Sequence, residues 1–343
     1  MKKLLNTLYV TIDDAYLARE GENVLIKVKE EVKFRIPIHN LESIVAFGYC
    51  GASPSLMSLC ATRGVGLSFL TPNGFFLARI SGKLNGNVLL RRKQYRMADE
   101  KETSLALAKY FIIGKITNSR SVLLRAIRDH EKSIKVEEVL EAAKFLTKNL
   151  ERIELADCVE TVRGIEGDSA RAYFDVFDHL ILSNKDQFFF NGRSRRPPLD
   201  NMNALMSFLY TLLVHDVQSA LEAVGLDPAV GFLHCDRPGR PSLALDLMEE
   251  VRPYLADRMA LSLVNRKQVS PDGFQRSEAG EITMTEATKK TVISSWQKRK
   301  QEELVHPFFN ESMSIGLIAY AQAMLLARYL RGDLDGYPPF FSK

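Results

Sequence analysis

The sequence predicts an α+β protein in two parts, a β-rich N-terminal domain over residues 1–86 followed by a larger all-α domain over residues 87–343. Two observations predict it. Before residue 87 the apolar residues come in short alternating or β-branched runs broken by turn formers, and from Asn87 onward they recur every three or four positions over long stretches. The length of 343 residues, at roughly 150 per domain, also suits two domains.

The strand-like runs are Thr7–Ile12, Tyr16–Arg19, Asn23–Val28, Lys33–Ile38, Ser43–Phe47, Gly66–Leu70 and Phe75–Ile80. Glu20-Gly21-Glu22-Asn23 reads as a hairpin loop and Pro72-Asn73-Gly74 as a tight turn. One helix interrupts them, from a capping Ser53 and an early Pro54 to Arg63, closed by Gly64. The helical stretches are Glu100–His130, Val136–Asn149, Glu166–Ser183, Asn201–Val224, Pro241–Val264, Thr285–Leu304 and Met313–Leu330. Segments 183–200 and 269–282 are polar and rich in turn formers, and are expected to be mobile loops.

Hydrophobic residues make up 46% and charged residues 26%, which excludes a chiefly disordered chain. The 46 Lys and Arg against 42 Asp and Glu leave +4, so any case for nucleic-acid binding rests on where the charges sit. Four cysteines, Cys50, Cys60, Cys158 and Cys235, form no CxxC pair, which suits neither a disulfide framework nor a zinc site. The N-terminus opens like a signal sequence, but Asp13 and Asp14 cut the apolar run short. No uncharged apolar run reaches the roughly 18 residues of a membrane span, so a cytoplasmic home with no membrane partner is expected.

Glu166 heads an apolar stripe, with Ala170, Tyr173, Phe174 and Phe177 at helical spacing behind it. A carboxylate so placed points toward the core and needs a metal, an arginine or a raised pKa to match it. Gly164 and Gly167 beside it would let a backbone or ligand approach. The bland alternative has Glu166 beginning its helix, meeting the dipole, with Arg163 or Arg171 as partner. His234 closes an apolar run just before a Pro/Gly turn, and alone would more often be structural. The next helix, from Ser242, is apolar nearly all round yet carries Asp246 and Glu249 on one face. Carboxylates with one imidazole suit Mg²⁺ or Mn²⁺ better than zinc, while an internal ion-pair cluster is the competing reading.

Three basic clusters stand out. Arg79, Lys83, Arg91, Arg92, Lys93 and Arg96 give a local +6 with no acid between them. Lys185, Arg193, Arg195 and Arg196 alternate with Phe188, Phe189 and Phe190, and Lys289, Lys290, Lys298, Arg299 and Lys300 surround Trp296. Basic residues with aromatic neighbours suit a phosphate backbone with stackable bases, whereas a solvated helix face is at least as good an explanation of the third cluster.

Three segments in order, RGIEGDSARAYF from Arg163, GRSRRPPLDNMNALMSFLY from Gly192 and GFLHCDRPGRPSLALDLMEEVR from Gly231, resemble the CRISPR-associated Cas-one integrases, most of all members found with type I-C systems. The resemblance extends to the tail Gly336-Tyr337-Pro338-Pro339-Phe340. It implies a β-rich domain and a helical catalytic domain, and a homodimer that joins a Cas-two dimer in a heterohexamer, with a Cas-four nuclease as an open question. It implies spacer insertion into the repeats of a CRISPR array by attack of a 3′-hydroxyl, on double-stranded DNA with single-stranded ends. The family's metal positions fall on Glu166, His234 and Glu249, with Asp246 the second candidate acid. DNA contacts are expected from Arg79, Lys83, Arg91, Arg92, Arg163, Arg193, Arg195, Arg196 and Arg240. The competing functions are a purely hydrolytic metal-dependent endonuclease and a non-catalytic DNA-binding scaffold.

Overall fold

The computed structural model describes residues 6–72, 74, 76–80, 88–194 and 196–342. Lys83, Arg195 and parts of the Pro72-Asn73-Gly74 turn and the strand expected from Phe75 lie outside the described residues. The first elements are β1 (Asn6–Val10), β2 (Ala15–Glu20), β3 (Asn23–Val28), β4 (Glu31–Pro37), β5 (Leu41–Phe47), β6 (Gly51–Ala52), α1 (Pro54–Arg63), β7 (Gly66–Leu70) and β8 (Phe76–Ile80). Then follow α2 (Val88–Asp99), α3 (Lys101–His130), α4 (Val136–Glu154), α5 (Val159–Asp175), α6 (Asn201–Ala223), α7 (Ser242–Arg252), α8 (Arg258–Asn265), β9 (Phe274–Arg276), β10 (Ile282–Met284), α9 (Glu286–Gln301), β11 (Glu303–Val305), β12 (Ser312–Ser314) and α10 (Ile318–Arg331). The α+β class holds, with β-rich elements first and a helical domain after them.

The chain divides into two compact units. The first holds Met1–Gly86 together with Lys289–Glu302 and Ser314–Leu317, so two late segments group with the N-terminal strands instead of with the helices around them in sequence. Its strands form two sheets. One has the order β1-β5-β7-β8, parallel through β7 with β8 antiparallel, and the other the order β4-β3-β2-β6. The β2–β3 hairpin turns through Gly21 at φ 59°, a left-handed conformation that glycine adopts without strain. Ser53 caps α1 by accepting from Leu56 N at 3.2 Å, and Gly64 ends it at φ 69°. Leu17, Ile26, Ile44, Leu56, Cys60 and Leu67 form the core of this unit. Trp296 is 1% exposed, Lys289 and Lys300 are buried, and Gln297 Nε2 donates to Thr7 O at 2.7 Å. The third basic cluster is thus divided: Lys289 and Lys300 are packed in, while Lys290 and Lys298 are exposed.

The second unit is built on α3, 30 residues and about 45 Å long, against which α4, α5 and α7 pack. The helix expected from Pro241 to Val264 runs from Ser242 to Asn265 with a π turn at Pro253–Asp257 between α7 and α8, where Pro253 lacks an N–H to donate. Segment 269–282, expected as a loop, contains β9 and leads into β10, and the two strands pair antiparallel. Segment 183–200 has no regular element among its described residues but is anchored: Phe188 packs edge-on against Phe274 and Phe190 stacks on Phe174. By length and composition α6 could cross a membrane, although Asp216 interrupts its apolar run. Its buried Met202, Leu205, Leu209, Leu212 and Leu213 and its packing on α7 and α10 make it a core helix.

Candidate functional site

The site begins where α3 and α7 approach. Gly114 has no side chain to hold them apart; a Cβ there would lie 2.7 Å from Glu250 Cβ and 3.2 Å from Pro339 Cβ. The next residue, Lys115, has a side chain only 5% exposed, and its ammonium sits 2.7 Å from Glu249 Oε2 and is also ion-paired with Glu166 Oε1. Sequence patterning missed Lys115, although it lies in the apolar run Phe111-Ile112-Ile113-Gly114-Lys115-Ile116, the same kind of anomaly as Glu166.

Glu166 stands seven residues beyond the start of α5 at Val159, in mid-helix. The alternative of a helix-initiating glutamate meeting the dipole is therefore excluded, and its partner is Lys115, neither Arg163 nor Arg171. The glycines at 164 and 167 mask the true start of the helix by weakening the helical pattern. A Cβ at either position would meet nothing within 4 Å, so among the described residues no other backbone approaches the helix at these two glycines. The Glu166 side chain is 29% exposed.

Glu249 is buried, and its two oxygens face different cations: Arg252 Nη1 donates to Oε1 at 2.9 Å while Oε2 faces Lys115. Burial alone would raise its pKa, but Arg252 and Lys115 outweigh it, with a smaller contribution from nearby His234, and hold Glu249 below the ordinary carboxylate range. Arg252 lies 5.1 Å from the Tyr210 ring centre, and the Tyr210 hydroxyl donates to Asp257 Oδ1 at 2.6 Å.

Asp246 has another job. It is fully buried, and its oxygens accept from Phe232 N (2.6 Å), Leu233 N (2.9 Å), His234 N (2.9 Å) and His234 Nδ1 (2.6 Å). These contacts saturate the carboxylate and leave no lone pair for a cation, so Asp246 is corrected from candidate ligand to the group that orients the imidazole. With Nδ1–H donated to Asp246, His234 keeps its Nε2 lone pair. Gly231 makes the cradle possible, since a Cβ there would lie 2.7 Å from Asp246 Oδ2 and 2.9 Å from the Ser242 backbone. Arg163 Nε donates to Leu233 O at 2.7 Å and so ties α5, which carries Glu166, to the loop that carries His234.

Among the described residues no three His, Cys, Asp or Glu side chains form a closed ligand set. The groups present nonetheless fit a hard divalent cation. An ammonium already stands where two carboxylates converge, and Glu249 Oε2 is buried with an ion pair but no well-directed hydrogen bond.

A family model described as CRISPR associated protein Cas1 matches residues 8–298. The chain belongs to the Cas1 family. It is 53% identical to the protein named CRISPR-associated endonuclease Cas1 1 of Chlorobaculum tepidum over 340 residues, 99% of each chain. Two solved structures share its fold at 20% identity and a TM-score of 0.84. One, described as a casposase bound to integration product, is matched over 99% of this chain and 95% of the other; the second, a Cas6-RT-Cas1–Cas2 complex, over 100% and 37%.

The basic residues of this Cas1-family chain divide by exposure. Arg92 and Arg196 are exposed, and Arg79, Arg91 and Arg240 half-buried. Arg163 is committed through Nε to Leu233 O. Arg193 is half-buried, and its guanidinium donates to Ser194 O and Asn203 Oδ1 at 2.6 Å and to Ser207 Oγ at 3.1 Å and lies 5.0 Å from the Tyr210 ring centre. Phe188 and Phe190 are core residues, which leaves Phe189 as the one exposed ring of its triplet.

Proposed function

We propose that this Cas1-family chain inserts short captured DNA fragments into a CRISPR array by metal-dependent transesterification. The observation that carries the proposal is the convergence of Glu166 and Glu249 on one buried cation position, beside an imidazole held by Asp246 with Nε2 left available. Glu166, Glu249 and His234 would hold Mg²⁺ or Mn²⁺, which would stabilise charge on a phosphodiester during in-line displacement. Asp246 fixes the imidazole tautomer, and Arg252 keeps Glu249 ionised. Arg163 keeps α5 and the His234 loop in register. The 3′-hydroxyl of the fragment attacks a repeat phosphorus as the repeat's own P–O bond breaks. One phosphodiester forms for each one broken, and no external energy source is needed.

Arg79, Arg91, Arg92, Arg196 and Arg240, with Lys83 and Arg195, would contact phosphates of DNA carrying single-stranded ends. A homodimer working with a Cas2 dimer in the cytoplasm is the proposed assembly, in keeping with the similar fold in a Cas1–Cas2 complex. The word endonuclease in its relative's name favours hydrolysis as the competing chemistry. Purified chain with its Cas2 partner, a labelled fragment and a supercoiled repeat plasmid should give covalently joined product only with Mg²⁺ or Mn²⁺. Nicked plasmid without joined label would replace integration by hydrolysis.

A further inference from the structure

Lys115 is the least explained group in the site. Its ammonium is almost fully buried, comes from a helix that supplies no other charged group to the site, and touches one oxygen of Glu166 and one of Glu249. Arg252 already serves the other oxygen of Glu249, so Lys115 is not needed to pair that residue. Its particular effect is to hold together two carboxylates from different helices that would otherwise repel.

The oxygens that Lys115 touches are those a divalent ion would use. A hard cation binds carboxylate oxygens at about 2.0–2.2 Å, and an ammonium cannot remain in contact with the same pair of oxygens while it does so. Lysine is suited to leave, since its charge is a compact point on a flexible four-carbon stem, unlike the planar fork of Arg252. The Glu166 side chain, 29% exposed, marks the side of the site on which that stem can reach solvent. Leaving the imidazole aside, Glu166, Glu249 and Asp246 against Lys115 and Arg252 sum to −1, so the site with its lysine in place is nearly balanced before any metal arrives.

We propose that Lys115 is a place-holding cation, which keeps Glu166 and Glu249 converged until a divalent ion displaces it. It is thus a positioning residue that lowers the affinity of the site for metal in exchange for a preformed ligand pair. This rests on the metal site proposed above, and the two can fail separately.

The test is Mn²⁺ binding to the full chain by titration calorimetry, for wild type, Glu166→Ala and Lys115→Met, with melting temperatures in EDTA and in Mn²⁺. Lys115→Met should bind Mn²⁺ at least about tenfold more tightly than wild type, melt lower in EDTA and gain more from Mn²⁺. Binding equal to or weaker than wild type overturns the place-holder, because a purely structural ion pair would loosen the site when removed. If wild type binds no Mn²⁺, or Glu166→Ala binds it equally well, the metal site itself is wrong and the place-holder falls with it. Should Lys115→Met not fold, ε-¹³C-lysine NMR of wild type decides, with the Lys115 signal assigned by its absence from Lys115→Arg. That signal should shift on Mg²⁺ saturation, and an unmoved signal overturns the proposal.

Discussion

Asp246 and Glu249 are both buried carboxylates on one face of α7, yet their surroundings give them opposite work. Asp246 meets only donors from segment 232–234, and Glu249 meets two cations. Replacing Asp246 with Asn puts an amide among N–H donors, so Asp246→Asn is expected to misorient His234 and reduce metal affinity or joining by about 10- to 100-fold. Calorimetry with Mn²⁺ and a joining assay on the same preparation check it. The i,i+3 spacing of the two acids was legible in the sequence, but the choice between them was not. That choice depends on how the chain folds back at Gly231, a contact between residues 14 positions apart. Lys115 was legible by the criterion that picked out Glu166, a charged residue inside an apolar stripe. Its partners were not, because they lie on two other helices.

The α3–α7 contact decides whether the carboxylates converge. In an ordinary helix Gly→Ala gains about 1 kcal/mol. At position 114 the added methyl would press on Glu250 and Pro339, so Gly114→Ala is expected to cost about 1–3 kcal/mol and move Lys115 away from Glu249. Denaturant melts and Mn²⁺ titration would register both effects.

Glu250, the neighbour of Glu249, fastens the C-terminal tail to α7. It accepts from the Tyr337 hydroxyl, from Phe340 N at 2.7 Å and from Gln322 Nε2 at 3.1 Å. Burial pushes its pKa from the ordinary 4.5 up to about 8 against those three donors, which favour the anion. The folded chain therefore holds this proton more tightly than the unfolded one. Its contribution is full below pH 4.5 and disappears as the pH rises through about 8, with a slope on the order of 1.4 kcal/mol per pH unit between. Thermal melts across that range should fall more steeply for wild type than for Glu250→Gln. The 3.6-residue period located most of the long helices but not α2, whose Arg- and Lys-rich stretch Val88–Asp99 has few apolar positions to show it. The start of α5 and the π turn after Arg252 were not readable either, because there Gly164, Gly167 and Pro253 disturb the pattern locally.

For the whole molecule, the near-neutral total of +4 conceals an uneven distribution, with arginines left exposed or half-buried while Glu166, Asp246 and Glu249 gather at one largely buried centre. DNA binding by those arginines should weaken steeply with salt, and removing one phosphate-binding arginine should reduce the log–log slope by about 0.9. Arg92→Ala and Arg196→Ala are expected to reduce that slope, whereas Arg193→Ala should chiefly lower the melting temperature, since its guanidinium is spent on Asn203 and Ser207. Filter binding at several salt concentrations separates the two behaviours. The change of period near residue 87 marked where strands give way to helices. Nothing local in the sequence signalled that Lys289–Glu302 would return to the first unit, because that follows from Trp296 burial and the Gln297–Thr7 bond across 290 positions.

The most direct measurement is fragment joining by Glu166→Ala and His234→Ala beside wild type, with Mn²⁺ and Cas2 present and with DNA affinity and melting temperature recorded for each. Loss of joined product in both variants, with DNA affinity close to wild type and a cooperative melt retained by each, is the predicted result. Normal joining by either variant would contradict the assigned site.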